Sequence, residues 1–231
     1  MPEIAKFNKT LQLLFKPHPW HGIPAGDSVP DLLNAYIEIV PTDTVKYEID
    51  KHSGHLKVDR PQKYSNHCPS IYGFIPQSYC GQSIGDYCGK RTGRQGIMGD
   101  GDPLDICVLS ERSISHGDII LKVIPIGGLR TIDGNQADDK IIAVLRNDAV
   151  YGQWQDISDC PKSLVDRLLH YFLTYKDLPA STSSCVEITD VYSRAEAAQV
   201  INAGLMDYKS EFGDPDIRIK ALISDIQSMI K

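Results

Sequence analysis

A chain of 231 residues with 42% hydrophobic and 23% charged side chains is long enough to bury a sizeable core, and it carries no low-complexity run. Its net charge of −6 argues against a general nucleic-acid or membrane-surface binder, because both need a positive field. No stretch approaches the roughly 18 consecutive apolar residues of a membrane span.

The opening MPEIAKFNKTLQLLF carries an acidic residue and lacks both a sustained apolar core and a small-residue cleavage site, so it does not read as a secretory signal. The six cysteines (68, 80, 88, 107, 160 and 185) form no CxxC pair, and a chain this long needs no disulfide staples. A reduced, cytoplasmic protein is expected. Cys107 sits in an apolar run and should be buried. Cys80 and Cys88 lie in a Gly-rich stretch without a second ligand pair, which disfavours a metal site there.

In chain order, residues 4–16 form either a helix or an N-terminal arm. AYIEIV (35–40), VKYEID (45–50) and LKVD (56–59) alternate with period two, and PTDT and KHSGH supply turns between them. Residues 76–99, rich in Gly, Ser, Gln and Tyr, are expected to form a long surface loop. Strands follow in DICVL (105–109), DIILKVIPIGG (118–128) and KIIAVLR (140–146).

The last third reads as helix. In CPKSLVDRLLHYFLTYK, residues Leu164, Val165, Leu168, Leu169, Phe172 and Leu173 fall on one face of a 3.6-residue period. SRAEAAQVINAGLMDYKSEF opens with Ser193 and Glu196 in the capping-box spacing. DPDIRIKALISDIQSMI opens with Asp214 as N-cap and Pro215 at the first helical position. Strands followed by helices predict an α+β domain around a small antiparallel barrel or sheet.

The chemistry concentrates in GDGDPLDIC, where Asp100, Asp102 and Asp105 crowd the entrance of a strand. Pro103 removes a backbone donor and biases Asp102 towards extended backbone, so a bend there brings the three carboxylates together. A second acidic group, Asp133, Asp138 and Asp139 followed by Lys140, lies in TIDGNQADDK. If 105–109, 118–128 and 140–146 form an antiparallel meander, both groups meet at one edge of the sheet.

Four or five unpaired carboxylates raise one another's pKa values, and hard divalent cations with oxygen ligands resolve the conflict. A calcium-binding EF-hand is excluded, since numbering from Asp100 puts Leu104 at a ligand position and Asp105 where the sharp-turn glycine belongs. The plain alternative is a set of turn formers at a strand entrance. Lys46 and Arg60 bracket the 45–60 hairpin at its open end, while Glu38 and Glu48 take outward, polar positions of their strands. Tyr72, Tyr175 and Lys176 read singly as amphipathic residues. Together with multivalent cations these groups suit a small polyanion of the phosphate class. No P-loop or GxGxxG unit is present. A hydrolase of another phosphate ester or of longer polyphosphate, and a structural metal-binding protein, are the rival readings.

DGDPLD at 100–105, YEID, SG and VDR between 47 and 60, IYGFIPQ at 71–77, IDGNQADDK at 132–140 and YKDL at 175–178 occur in one order. In these five motifs, across about 36–178, the chain resembles the soluble family I inorganic pyrophosphatases. The resemblance implies a distorted five-stranded antiparallel β-barrel, OB-like, with flanking and C-terminal helices. It further implies one domain over 1–231, with a core at about 36–178 and a helical extension at about 190–231.

The implied reaction is hydrolysis of pyrophosphate to two phosphates with Mg²⁺ or another divalent cation. The implied protein is a homo-oligomer that binds neither nucleic acid nor membrane. Carried over by motif, Asp100, Asp105, Asp133 and Asp138 would be metal ligands, and Asp102 the general base acting on a metal-bridging water. Lys46, Arg60, Tyr72, Lys140, Tyr175 and Lys176 would bind the phosphates, with Glu38 and Glu48 as supporting polar residues around the metals. Three departures stand out. Cys68 takes the place where many members carry a tyrosine, 76–99 is longer than in compact bacterial members, and the helices after about 190 exceed the compact pattern.

Overall fold

The computed structural model describes residues 16–176 and 186–229. Cys185, the end of YKDL and nearly all of the 4–16 segment lie outside them. Ten strands are present among the described residues: β1 (Leu33–Ile39), β2 (Val45–Ile49), β3 (Leu56–Pro61), β4 (Ile71–Phe74), β5 (Met98–Gly99), β6 (Asp105–Leu109), β7 (Ile119–Asp133), β8 (Gln136–Ala137), β9 (Lys140–Leu145) and β10 (Val186–Ser193). The helices are α1 (Gln82–Thr92), α2 (Lys162–Thr174), α3 (Arg194–Phe212) and α4 (Pro215–Met229).

Five strands close into a ring in the order β1, β4, β6, β9, β7, with β7 pairing back onto β1. The expected barrel is therefore present, in an α+β setting. One pair departs from the antiparallel expectation. β6 lies parallel to β9, and β7 lies beyond β9 rather than between the two. The composition of both strands suits this arrangement without dictating it. DICVL and KIIAVL are almost continuously apolar, the signature of strands covered on both faces, as parallel neighbours usually are. Their alternate residues serve two cores. Ile106, Val108, Ile141 and Ala143 face a core shared with α1 and α3, while Cys107, Leu109, Ile142 and Val144 meet Val165, Leu168 and Phe172 of α2. Leu173, expected on that helix face, is 40% exposed.

The predicted surface loop at 76–99 is also corrected, because it contains α1 with Ile84, Gly85 and Cys88 buried. Its sequence QSIGDYCGKRT has two glycines and a short apolar stripe, so helical periodicity is weak. Its free N-terminal donors are satisfied from a distant element. The Asp207 carboxylate on α3 accepts from the backbone N–H of Gly81 at 3.0 Å, Ser83 at 2.9 Å and Ile84 at 3.1 Å. Cys80 and Cys88 are buried in the larger core as free thiols, and Cys107 is buried as expected.

The capping box at α3 is corrected as well. Ser193 precedes the helix but makes no side-chain cap bond, and Glu196 instead accepts from Arg130 at 2.8 Å and from Arg91 Nε at 2.7 Å. α4 begins at Pro215, as the sequence predicts.

Candidate active site

The aspartate loop is built on the segment before α1. Ile75 N–H donates to the Leu104 carbonyl at 2.9 Å, and Leu104 N–H donates to the fully buried Ser78 hydroxyl at 2.8 Å. Cys80 N–H donates to the Asp102 carbonyl at 2.8 Å, and Gly101 N–H donates to the Cys80 carbonyl at 3.0 Å. The bend falls at Gly101 (φ +78°), and Asp100 Oδ1 accepts the Asp102 N–H at 3.0 Å across it. This Asx turn needs left-handed backbone at its middle residue, which glycine adopts without strain. Pro103, given that task from sequence, only follows the turn.

The two acidic groups do meet at one end of the ring, by a different route from the expected meander. In the parallel pair, Asp105 stands opposite Lys140, so both strands begin at the same end. β7 runs the other way and finishes there at Asp133, and Asp138 lies between β8 and β9.

A cavity of about 360 Å³ opens at this end. Every predicted site residue except Arg60 lines it: Glu38, Lys46, Glu48, Tyr72, Asp100, Asp102, Asp105, Asp133, Asp138, Lys140, Tyr175 and Lys176. Arg60 pairs with Lys46 across the β2–β3 hairpin as expected, but its guanidinium is engaged by the neighbouring Asp59. Sequence reasoning missed Lys51, Gln62, Gln136 and Tyr171, which also line the cavity. Two signals were available. Lys51 directly follows the YEID motif, and Tyr171 stands one helical turn before Tyr175.

Ammonium groups cross-link the carboxylates. Lys140 Nζ donates to Asp105 at 2.5 Å and also to Asp138. Lys176 donates to Asp133, Lys51 to Asp102, and Tyr72 OH to Asp105. Lys46 lies 3.1 Å from both Glu48 and Asp59. Burial, followed by the charges of Asp138 and Asp105, pushes the Asp100 carboxyl up to about 8. Burial also raises Asp138. At Lys140 burial works against the charged form, and the Asp105 and Asp138 carboxylates more than reverse it.

Glu38 corrects the outward assignment: it is only 7% exposed, because the β2 hairpin crosses over it and Ile49 N–H donates to its Oε1 at 2.6 Å. Burial moves its carboxyl from 4.5 to about 8. A raised carboxyl pKa means that the folded state holds the proton longer than the unfolded chain. Glu38 therefore favours folding below its unfolded pKa and opposes it increasingly as pH rises from about 4.5 to about 8. In chelator, Glu38→Gln keeps the acceptor for Ile49 and removes the charge. We expect it to match the parent near pH 5 and to exceed it at pH 8 by on the order of 3 kcal/mol in urea unfolding. Equal stability at pH 8 would refute this assignment.

The donor set fits hard divalent cations. Seven carboxyl side chains face four lysines in the cavity, and the carboxyl of Asp100 is already driven towards its neutral form. Among the described residues no three acidic, imidazole or thiol groups converge closely enough to grip one ion, because ammonium groups stand between the aspartates.

The sequence profile of the family described as Inorganic pyrophosphatase matches residues 35–209. An inorganic pyrophosphatase of Chlamydia muridarum is 52% identical over 199 residues, covering 84% of this chain and 95% of that protein. A soluble inorganic pyrophosphatase of Oryza sativa subsp. indica is 35% identical over 159 residues, 69% of this chain and 65% of that protein. The crystal structure of inorganic pyrophosphatase from Thermus thermophilus superposes with a TM-score of 0.68 at 31% identity, covering 83% of this chain and 99% of that chain. With an acidic barrel mouth lined by phenols and lysines, and with agreement this deep along its length, the chain belongs to the inorganic pyrophosphatase family.

Proposed function

We propose that Asp102 is the general base in the reaction of this chain, the hydrolysis of inorganic pyrophosphate to two phosphates. The observation that carries the assignment is its setting. Among the clustered aspartates paired with lysines, Asp102 has the most open side chain, 48% exposed against 22% for Asp105, 17% for Asp138 and 28% for Asp133. A base must reach a water in the cavity, whereas ligands are best held from below. Lys51, which also lines the cavity, holds the Asp102 carboxylate through one oxygen.

Asp100, Asp105, Asp133 and Asp138 would hold the divalent cations, Mg²⁺ by preference, with Glu38 and Glu48 beside them. When bound, such cations lower the pKa of water and neutralise substrate charge. Lys46, Lys140, Lys176, Tyr72 and Tyr175 bind the phosphates from the cavity wall, and Arg60, which is engaged by Asp59 outside that wall, would join them only on leaving this carboxylate. The Lys140 and Lys176 ammonium groups, held on Asp105, Asp138 and Asp133 in this structure, would be available to phosphate oxygens with cations bound to those carboxylates.

Water attacks one phosphorus, its proton passes to Asp102, and the bridging P–O bond breaks. Lysine ammonium and tyrosine O–H groups meet the charge that develops on the departing phosphate. Covalent catalysis by Cys68 is disfavoured, since burial pushes its thiol up to about 11 and keeps it protonated. The enzyme acts as a cytoplasmic homo-oligomer built from single-domain chains and binds no nucleic acid. Exposed Met206, Ile217 and Leu222 on α3 and α4 offer apolar surface for a second copy. No described helix is long and apolar enough to cross a membrane.

The test is phosphate release with Mg²⁺ from pyrophosphate, tripolyphosphate and a nitrophenyl phosphate ester. Preference for pyrophosphate is expected. Release from the ester or tripolyphosphate alone would favour a different phosphohydrolase, and no release from any of them would leave only a structural metal site.

A further inference from the structure

Among the groups lining the cavity, Tyr171 is left without a task by the reaction described above. It sits on α2 one turn before Tyr175, with the two rings stacked at 5.2 Å and 25° and its edge against Phe172 at 5.1 Å and 74°. This packing sets the direction of its phenol before any ligand arrives. Its hydroxyl neighbours the Cys68 thiol, a weak hydrogen-bonding group in either direction. The thiol also has the Ser70 hydroxyl within 3.9 Å.

Four charged or phenolic groups around it are held more firmly. Tyr72 is bonded to Asp105, Lys140 to Asp105 and Asp138, Lys176 to Asp133, and Lys51 to Asp102. Tyr171 thus brings a strong O–H donor to the cavity while its partner is a poor acceptor. Burial and the neighbouring Cys68 raise its ionisation far above the usual phenol range, so the donor keeps its proton at any working pH. A phosphate oxygen is a much better acceptor than a thiol, and O–H bonds to charged oxygen are roughly twice as strong as neutral ones.

We infer that Tyr171 is a further substrate-binding residue, whose phenol leaves the Cys68 thiol and donates to a phosphate oxygen of bound pyrophosphate. The inference rests on the cavity being the pyrophosphate site. It also gives Cys68 a meaning: a weakly bonding side chain there holds the phenol in place without competing for it.

The test compares Tyr171→Phe and Cys68→Ala in the full chain with Mg²⁺. Losing a hydrogen bond to a charged group should raise KM for pyrophosphate about tenfold in Tyr171→Phe, with kcat changed far less. Calorimetric affinity for imidodiphosphate, a non-hydrolysable analogue, should fall by a similar factor. Cys68→Ala frees the phenol and should leave KM and analogue affinity unchanged or slightly tighter. If the hydroxyl serves only to pack against the thiol, both variants should shift the thermal midpoint alike and neither should change KM; that result overturns the inference. So does a KM for Tyr171→Phe within twofold of the parent. A parent enzyme that releases no phosphate from pyrophosphate would overturn the reading of the site itself.

Discussion

Asp102→Asn is expected to lower kcat by about 10²–10⁴-fold while divalent-cation affinity stays close to that of the parent. The amide has the shape of the carboxylate, and its oxygen can still accept from Lys51, which now holds the carboxylate. It cannot take a proton from water at neutral pH. The Asx turn that shapes the loop uses the Asp100 carboxylate and the Asp102 backbone, so the substitution leaves it intact. Phosphate release gives the rate, and titration calorimetry with Mg²⁺ gives the affinity. A variant with near-normal turnover would remove Asp102 from the role of base. A variant that lost cation binding as well would make it a ligand.

Lys140→Met should carry the largest stability effect in the site. The lysine side chain is 3% exposed and bridges Asp105 and Asp138, beside an Asp100 carboxyl already pushed up to about 8. Methionine fills much the same space, so little of the effect comes from a cavity. What changes is that two partly buried carboxylates lose their cation. Breaking such a pair from one side costs about 3–5 kcal/mol. Urea unfolding in chelator should show this loss. Saturating Mg²⁺ should recover a good part of it, because bound cations replace the missing charge and stabilise only the folded state. A loss below about 1 kcal/mol in chelator, or the same loss with and without Mg²⁺, would contradict this account of the site.

The strands of the ring are legible because buried strands leave either a period-two pattern or an unbroken apolar run. Which strand lies beside which is not legible. The parallel contact of β6 with β9 follows from closing the ring, a property of the whole sheet. α1 was hidden because its cap comes from Asp207, 126 residues beyond Gly81, and no local signal encodes it.

Within the site, short motifs carried most of the residues. Those that escaped owe their place to tertiary structure. Lys51 reaches Asp102 only because the hairpin folds over the barrel mouth. Arg60 differs for a related reason, since the ladder slips between Lys46 and Tyr47 and local spacing could not set its aim. Glu38 reads as outward along its strand, and only the crossing of β2 buries it.

The carboxylate of Asp207 has a consequence in time. It secures the start of α1, and the segment just before α1 holds the aspartate loop in shape. Ribosomes deliver the chain from its N-terminus, so every strand of the ring and every acidic residue of the mouth emerges before Asp207 does. Until α3 docks, the Gly81, Ser83 and Ile84 amides lack their acceptor, and the support beneath Asp100 and Asp102 is unfinished. A nascent chain thus braces its acidic mouth fully only after α3 has emerged and docked.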